Sequence, residues 1–203
     1  MDQQTTLGPL PSAVAVASGR FTLRRYVAAD AEALNRAVAD SVDHHLPWMP
    51  WAADEPMTVA ARLELFATWD RQWRAGESAV YGMFKGAEVI GGTGLHRRRE
   101  GRPDIVEIGY WVHVDHVRGG IATEAAAALT DAAFGLAGTT AVEIMHLPDN
   151  VASRGVPARL GYTYLGDEFV REQTFSVWRV TRSHWQRRRS ASPQESAQPG
   201  EGG

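Results

Sequence analysis

The spacing of apolar positions changes along the chain, and each change predicts an element. Residues 21–27 (FTLRRYV) alternate apolar and basic side chains, as a half-buried strand does. Asp30 stands where an N-cap would, ahead of a helix over 30–40 with Ala33, Leu34, Ala37 and Val38 on one face. The proline-bounded aromatic stretch 44–51 (HHLPWMPW) breaks that period and reads as a loop. Thr58 predicts the cap of a second helix to about Arg74, closed by Gly76. Residues 79–85 and 88–96 predict a hairpin turning at Gly86-Ala87, and 105–113 a further strand. Then follow an alanine-rich helix over 121–137, a strand over 141–147 and a short helix over 150–160 ending at Gly161. Pro157 inside that short helix is expected to bend it or delay its start. Strands over 162–166 and 174–180 complete the order βααβββαβαββ. This is a mixed α/β domain with a parallel crossover around the alanine-rich helix.

Composition sets the limits of that picture. The 203 residues are 44% hydrophobic and 22% charged, as in an ordinary globular domain. Segment 1–18 is rich in Pro, Ser and Ala, and 190–203 (SASPQESAQPGEGG) has the composition of a disordered end. A single domain over 19–189 is therefore expected. The basic run 187–189 reads as a solvated end. The net charge of −3 argues against general nucleic-acid binding. With no cysteine, the chain has no disulfide, thiolate metal site or cysteine nucleophile. No apolar run approaches the roughly 20 residues of a membrane span. The start lacks a basic region, and its apolar stretch 13–17 is shorter than a signal core, so a cytoplasmic protein is expected.

The most informative stretch is 106–134, VEIGYWVHVDHVRGGIATEAAAALTDAAF. A strand runs into a basic, glycine-containing turn and then directly into a helix. The first N–H groups of a helix are unpaired and its dipole favours negative charge there, so the turn is an anion site. Gly119 and Gly120 allow close backbone approach. Arg118 offers a charge-assisted donor, and Thr123 a hydroxyl. A pyrophosphate suits such a site. Neither GxxxxGK followed by Ser or Thr, nor GxGxxG after the strand, is present.

Val117-Arg118-Gly119-Gly120-Ile121-Ala122 resembles the coenzyme A loop of the GNAT superfamily, Gln/Arg-x-x-Gly-x-Gly/Ala, with Val117 at the first position. The likeness continues through Ala122-Thr123-Glu124-Ala125, which is similar to the Rim-type branch (ribosomal-protein N-terminal acetyltransferase-like). Glu107-Ile108-Gly109-Tyr110-Trp111 and Phe21-Thr22-Leu23-Arg24 are similar to that branch too. Asn150-Val151-Ala152-Ser153, leading to Arg159-Leu160-Gly161-Tyr162, resembles the family's N-x-x-S helix and its exit. The resemblance covers roughly residues 20–182.

The resemblance implies an acyl-CoA N-acyltransferase fold: a central mixed sheet flanked by helices, with a splayed parallel strand pair, here 105–113 and 141–147. It implies acetyl-CoA as co-substrate and direct transfer to a primary amine (a protein N-terminus, a peptide or a small amine) in a ternary complex. Backbone groups of residues 110–114, including Val112, His113 and Val114, would hold the pantetheine. A backbone N–H of Val112 or His113 would stabilise the oxyanion. Val117, Arg118, Gly119, Gly120, Ile121, Ala122 and Thr123 would cradle the pyrophosphate. Asn150 would contact the pantetheine arm, and Ser153 or a nearby tyrosine would protonate the leaving thiolate. Glu107 is the candidate general base, with Tyr110 and Tyr162 as the other polar groups.

Trp48, Met49 and Trp51 are expected to line the acceptor side, with Trp69 and Trp73 extending that wall. His113 and His116 lack the context of a metal site, and none is expected. The family brings a homodimer as an expectation. Two alternatives stay open: another acyl donor such as succinyl-CoA, which Arg97–Arg99 or Arg102 would suit, and a non-catalytic acyl-CoA-binding module. A nucleotide-binding domain is a further, weaker contender.

Overall fold

A computed structural model describes residues 12–191. Eight strands form one sheet: β1 (Ala13–Val14), β2 (Thr22–Arg24), β3 (Ser78–Lys85), β4 (Glu88–His96), β5 (Ile105–Val112), β6 (Ala141–His146), β7 (Thr163–Val170) and β8 (Gln173–Thr181). Their spatial order is β1-β2-β3-β4-β5-β6-β8-β7. Five α-helices accompany them: α1 (Ala31–His45), α2 (Val59–Ala75), α3 (Ile121–Gly135), α4 (Val151–Arg159) and α5 (Arg182–Ala191).

All neighbours pair antiparallel except β5 and β6, which run parallel because α3 carries the chain back across the sheet. Pairing of β5 with β6 runs from Ile105↔Ala141 to Ile108↔Ile144 and stops there. Both strands continue: Gly109–Val112 stays bonded to β4 and Met145–His146 to β8. The sheet therefore splits into a V between β5 and β6.

Alternation along β5 separates two apolar clusters. Ile108, Tyr110 and Val112 belong with Ala125, Ala126, Leu129 and Ala133 of α3, while Trp111 belongs with Leu34 and Val38 of α1 and with Phe84 and Val89. Alanines on α3 allow the helix to lie close against the strands that form the V.

Several local expectations hold. Thr58 Oγ1 accepts the Ala61 N–H at 3.1 Å, and Gly76 closes α2 at φ 69°. The β3–β4 hairpin turns at Gly86-Ala87. Others are corrected. Asp30 does not cap α1 with its side chain; its carboxylate turns back to Arg24 (2.7 and 2.9 Å) and to the Val27 N–H (2.8 Å). The 44–51 segment is not one loop: α1 continues through His44 and His45, and Pro50–Asp54 is a 3-10 turn. Residues 12–18, expected to be unstructured, include edge strand β1, and Val16 is buried. The disorder expected at 1–11 and 192–203 lies outside the described residues, while residues 190 and 191, expected in the disordered end, close helix α5.

The terminal helix α5 was not foreseen. Trp185 Nε1 donates to Asp131 Oδ1 of α3 at 2.7 Å. Arg182 donates to the carbonyls of Phe134 and Thr139, where α3 ends. From the basic run, Arg188 donates to the carbonyl of Arg159 at 2.7 Å and Arg189 pairs with Asp131. Among the described residues, no helix is long and apolar enough to cross a membrane.

Candidate active site

The V is where the chain's polar chemistry collects. His113 N–H donates to the Ile90 carbonyl at 3.0 Å, towards β4. Amides alternate in direction along a strand, so those of Tyr110 and Val112 turn to the other edge, where β6 has diverged. Of the two candidate oxyanion donors, Val112 thus faces the gap and His113 is committed to the sheet. Val114 N–H is also committed, to Ser41 Oγ of α1 at 3.1 Å. Ser41 is fully buried and carries no motif.

Tyr110 and Ser153 are brought together across the V. The phenol oxygen lies 2.9 Å from Ser153 Oγ and donates to the Ser153 carbonyl at 3.2 Å. That carbonyl is available because Pro157, four residues on, has no N–H to return to it. The proline neither ends the helix nor delays it. Asn150 Oδ1 caps α4 by accepting the Ser153 N–H at 3.0 Å. Burial raises the Tyr110 pKa and the Ser153 contact lowers it; burial prevails, so the phenol stays protonated well above neutrality. Tyr162 is also buried, bonded to Thr130 Oγ1 on α3 at 2.7 Å, and serves the core.

The glycine turn sits at the same end of β5. Arg118 and Gly120 both have positive φ, 64° and 81°, and Gly120 starts α3. Residues Val117, Arg118, Gly119 and Gly120 are exposed, while Ala122 and Thr123 are half-buried and Ile121 is buried. This leaves the amides at the helix start open to a ligand. Arg20, which no motif marked, donates to the Gly119 carbonyl at 3.1 Å and pairs with Glu124. Burial works against the Glu124 carboxylate, but Arg20 and Ser18 outweigh it and hold its pKa below the usual range. Arg20 thus braces the turn and neutralises the one acid in the first turn of α3.

Glu107 lies apart from Tyr110 and Ser153. It sits in the paired part of β5, opposite Glu143 of β6 and on the same face as Trp111. It is buried, and both oxygens are engaged: Oε1 by Arg98 at 3.5 Å and Oε2 by Arg171 at 3.1 Å. Glu143, fully buried, pairs with Arg99 at 2.8 Å and Arg179 at 2.5 Å, and Arg99 also reaches Glu168 at 2.7 Å. Arg102 is spent on Asp104 at 2.9 Å.

On the Trp111 face the sheet has a glycine floor. A Cβ at Gly92 would strike the Trp111 indole at 2.3 Å, and one at Gly94 would strike His96 at 2.7 Å. His96 Nδ1 lies 2.6 Å from Ser78 Oγ. Burial, with Arg98 and Arg171 nearby, lowers the His96 pKa to about 3, so the ring is neutral. Trp51 joins this face, 6.0 Å from Trp111 between ring centres. Trp48 and Met49 are half-buried in the segment leading to it, and their N–H groups donate to the His45 carbonyl. Trp69 packs against the same apolar cluster as Trp51 and Trp111, stacked with Phe66 and lying against Tyr26, whereas Trp73 lies on Tyr81 in the other cluster. His113 and His116 are close, but among the described residues no cluster of metal-ligating side chains forms.

Comparison with known proteins follows the same lines. The Acetyltransferase (GNAT) domain family matches residues 20–163, more than half of the chain. No curated protein matches in sequence. Among solved structures, the RimL ribosomal L7/L12 alpha-N-protein acetyltransferase in complex with coenzyme A is similar at 18% identity, with TM-score 0.73 over 83% of this chain and 97% of that one. RimJ from Mycobacterium smegmatis, in complex with CoA-disulfide, is similar at 24% identity and TM-score 0.70, over 89% of each chain. The microcin C7 self-immunity acetyltransferase MccE, in complex with acetyl-CoA and AMP, gives 17% identity and TM-score 0.74 over 89% and 99%. With the split sheet, the glycine turn at the start of α3 and the domain match in agreement, the chain belongs to the GNAT acetyltransferase family.

Proposed function

We propose that the protein transfers an acetyl group from acetyl-CoA to a primary amine by direct attack, with the pyrophosphate on the 118–123 turn and the thioester in the V. The observation that carries this reading is the Tyr110–Ser153 contact, which spans the gap beside the outward amide of Val112. The residues fit the co-substrate. The exposed glycine turn offers unpaired amides to an anion, and Asn150 stands beside Ser153 at the start of α4, its Oδ1 used in capping and its Nδ2 not needed for that bond.

Acetyl-CoA supplies an activated acyl group, and the chain supplies position and protons. Val112 N–H meets the carbonyl oxygen as it gains charge during attack by the amine nitrogen. As the C–N bond forms and the C–S bond breaks, the Tyr110 hydroxyl donates its proton to the departing sulfur. Ser153 Oγ, 2.9 Å away, relays a replacement. The amine gives up its proton to solvent water on the Trp111 face.

On that face Glu107 has its oxygens spent on Arg98 and Arg171, and we assign it to holding the floor of the acceptor side. An acceptor that needs little deprotonation suits such a site. An α-amine, with a pKa of about 7.7–8.0, meets that need better than lysine at about 10.4. A peptide N-terminus is therefore the favoured acceptor class, in keeping with the RimL alpha-N-protein acetyltransferase among the neighbours.

Release of free thiol tests the reading directly, because the chain has no cysteine to react with the reagent. Peptides with a free α-amine should release coenzyme A in proportion to acetylated product. A protein that binds acetyl-CoA but consumes none across an amine panel would instead be a binding module.

A further inference from the structure

We propose that His45 takes a hydrogen bond from an N–H of the acceptor amine and holds that amine against the thioester beside Val112. This inference rests on the acetyl-transfer reading above. His45 is the last residue of α1 and only 4% exposed. Its Nε2 is buried and has no hydrogen-bond partner. Burial lowers the pKa of the ring to about 4 and keeps it neutral, against a smaller contribution from the Val112 backbone that raises it. A neutral imidazole carries one proton, and in the tautomer with that proton on Nδ1 the Nε2 lone pair calls for a donor. Buried polar atoms in folded proteins are nearly always satisfied, and an exception calls for a physical reason.

The surroundings say what kind of donor fits. His45 is enclosed by His44 (5.2 Å between ring centres), Trp111 (5.4 Å) and Trp51 (6.0 Å). None of these rings donates to Nε2. The tryptophan faces suit the carbon skeleton next to an amine. Trp111 also lies on the opposite face of β5 from Tyr110. The amine would then approach from the His45 side while the sulfur departs towards Tyr110 and Ser153. Trp111 and Val112 link the two halves, the indole lying against His45 and the next amide facing the gap.

His45→Phe removes the lone pair and keeps a ring of similar shape; His45→Gln restores an acceptor oxygen near the place of Nε2. Thiol release with an α-amine peptide, calorimetric acetyl-CoA binding and thermal melting are measured on all three proteins. Phe should keep the fold and acetyl-CoA affinity while kcat/KM for the amine falls at least about tenfold, and Gln should recover most of it. His45→Met serves the same comparison if the Phe variant does not fold. An apolar variant within about twofold of wild type overturns the inference and leaves acetyl transfer intact. A wild-type protein that acetylates no amine overturns the acetyl-transfer reading, and this inference with it.

Discussion

The Tyr110 hydroxyl meets both the side chain and the carbonyl of Ser153, 43 positions later in the chain, at 2.9 and 3.2 Å. The contact joins β5 to α4 across the gap where β5 and β6 part, and Pro157 makes it possible by leaving that carbonyl without an intrahelical partner. Tyr110→Phe should lower kcat by about 10²–10⁴-fold. Ser153→Ala should cost less, since the phenol remains. Acetyl-CoA affinity should change little in either, because neither residue belongs to the glycine turn. Steady-state kinetics beside calorimetry separates the two effects.

The same phenol sets a pH expectation. Burial raises its pKa, so it keeps its proton through the range in which an α-amine becomes neutral. Turnover should rise with pH through about 8 as the amine deprotonates and show no falling limb below about 10. A limb falling near 9 that disappears in Tyr110→Phe would contradict the assignment of a raised value.

Gly120 stands at φ 81° at the start of α3. Any side chain there must adopt a left-handed conformation, at a cost of roughly 1–2 kcal/mol. Gly120→Asp should also place a negative charge on the anion site. The expected result is a folded protein, somewhat less stable, without measurable acetyl-CoA binding. Circular dichroism and calorimetry on the same preparation check it.

Arg62 of α2 is buried and bonds Glu55 at 2.6 Å and Asn35 of α1 at 2.7 Å, and Asn35 returns to the Met57 carbonyl at 2.9 Å. This cluster fixes the segment that carries Trp51. Arg62→Met leaves the Glu55 carboxylate buried without its partner and should destabilise by about 3–5 kcal/mol. The double variant with Glu55→Gln should recover much of that loss. Urea unfolding measures both.

His45 and His96 are both depressed by burial, to about 4 and about 3 from 6.5. The unfolded chain therefore binds protons that the folded state refuses. Stability should be full above pH 6.5 and fall as pH drops below it, by up to about 1.4 kcal/mol per pH unit for each ring. Between pH 6.5 and 5 few carboxylates titrate, so the slope there reports the histidines. His45→Phe should reduce it by one ring's share, leaving that of His96 and of His146, which burial also depresses, and an unchanged slope would contradict the burial argument.

Much of this architecture was legible in the chain. Thr58 and Gly76 bound α2 where capping chemistry places them, and Gly86-Ala87 turns the hairpin. The glycine turn could be read because an anion site at a helix start needs residue types that sequence displays. What stayed hidden depends on long-range contact. Arg20 reaches Gly119 and Glu124 from about a hundred residues away, and α5 is held by Trp185 on Asp131. The α1 helix passes the expected stop because Leu46 N–H still finds the Val42 carbonyl at 2.8 Å. His45 thereby enters the core beside Trp111. Glu107 is the residue the sequence offers as a general base, and sequence does not show the two arginines that occupy it.

The most direct test of the central claim is calorimetric titration of the wild-type protein with acetyl-CoA, with Gly120→Asp as its control. The account predicts saturable binding of one molecule per chain in the wild type and none in the folded variant. A folded wild-type protein that takes up no acetyl-CoA, or a Gly120→Asp variant that binds it equally well, would contradict the placement of the pyrophosphate on the 118–123 turn and of the thioester in the V.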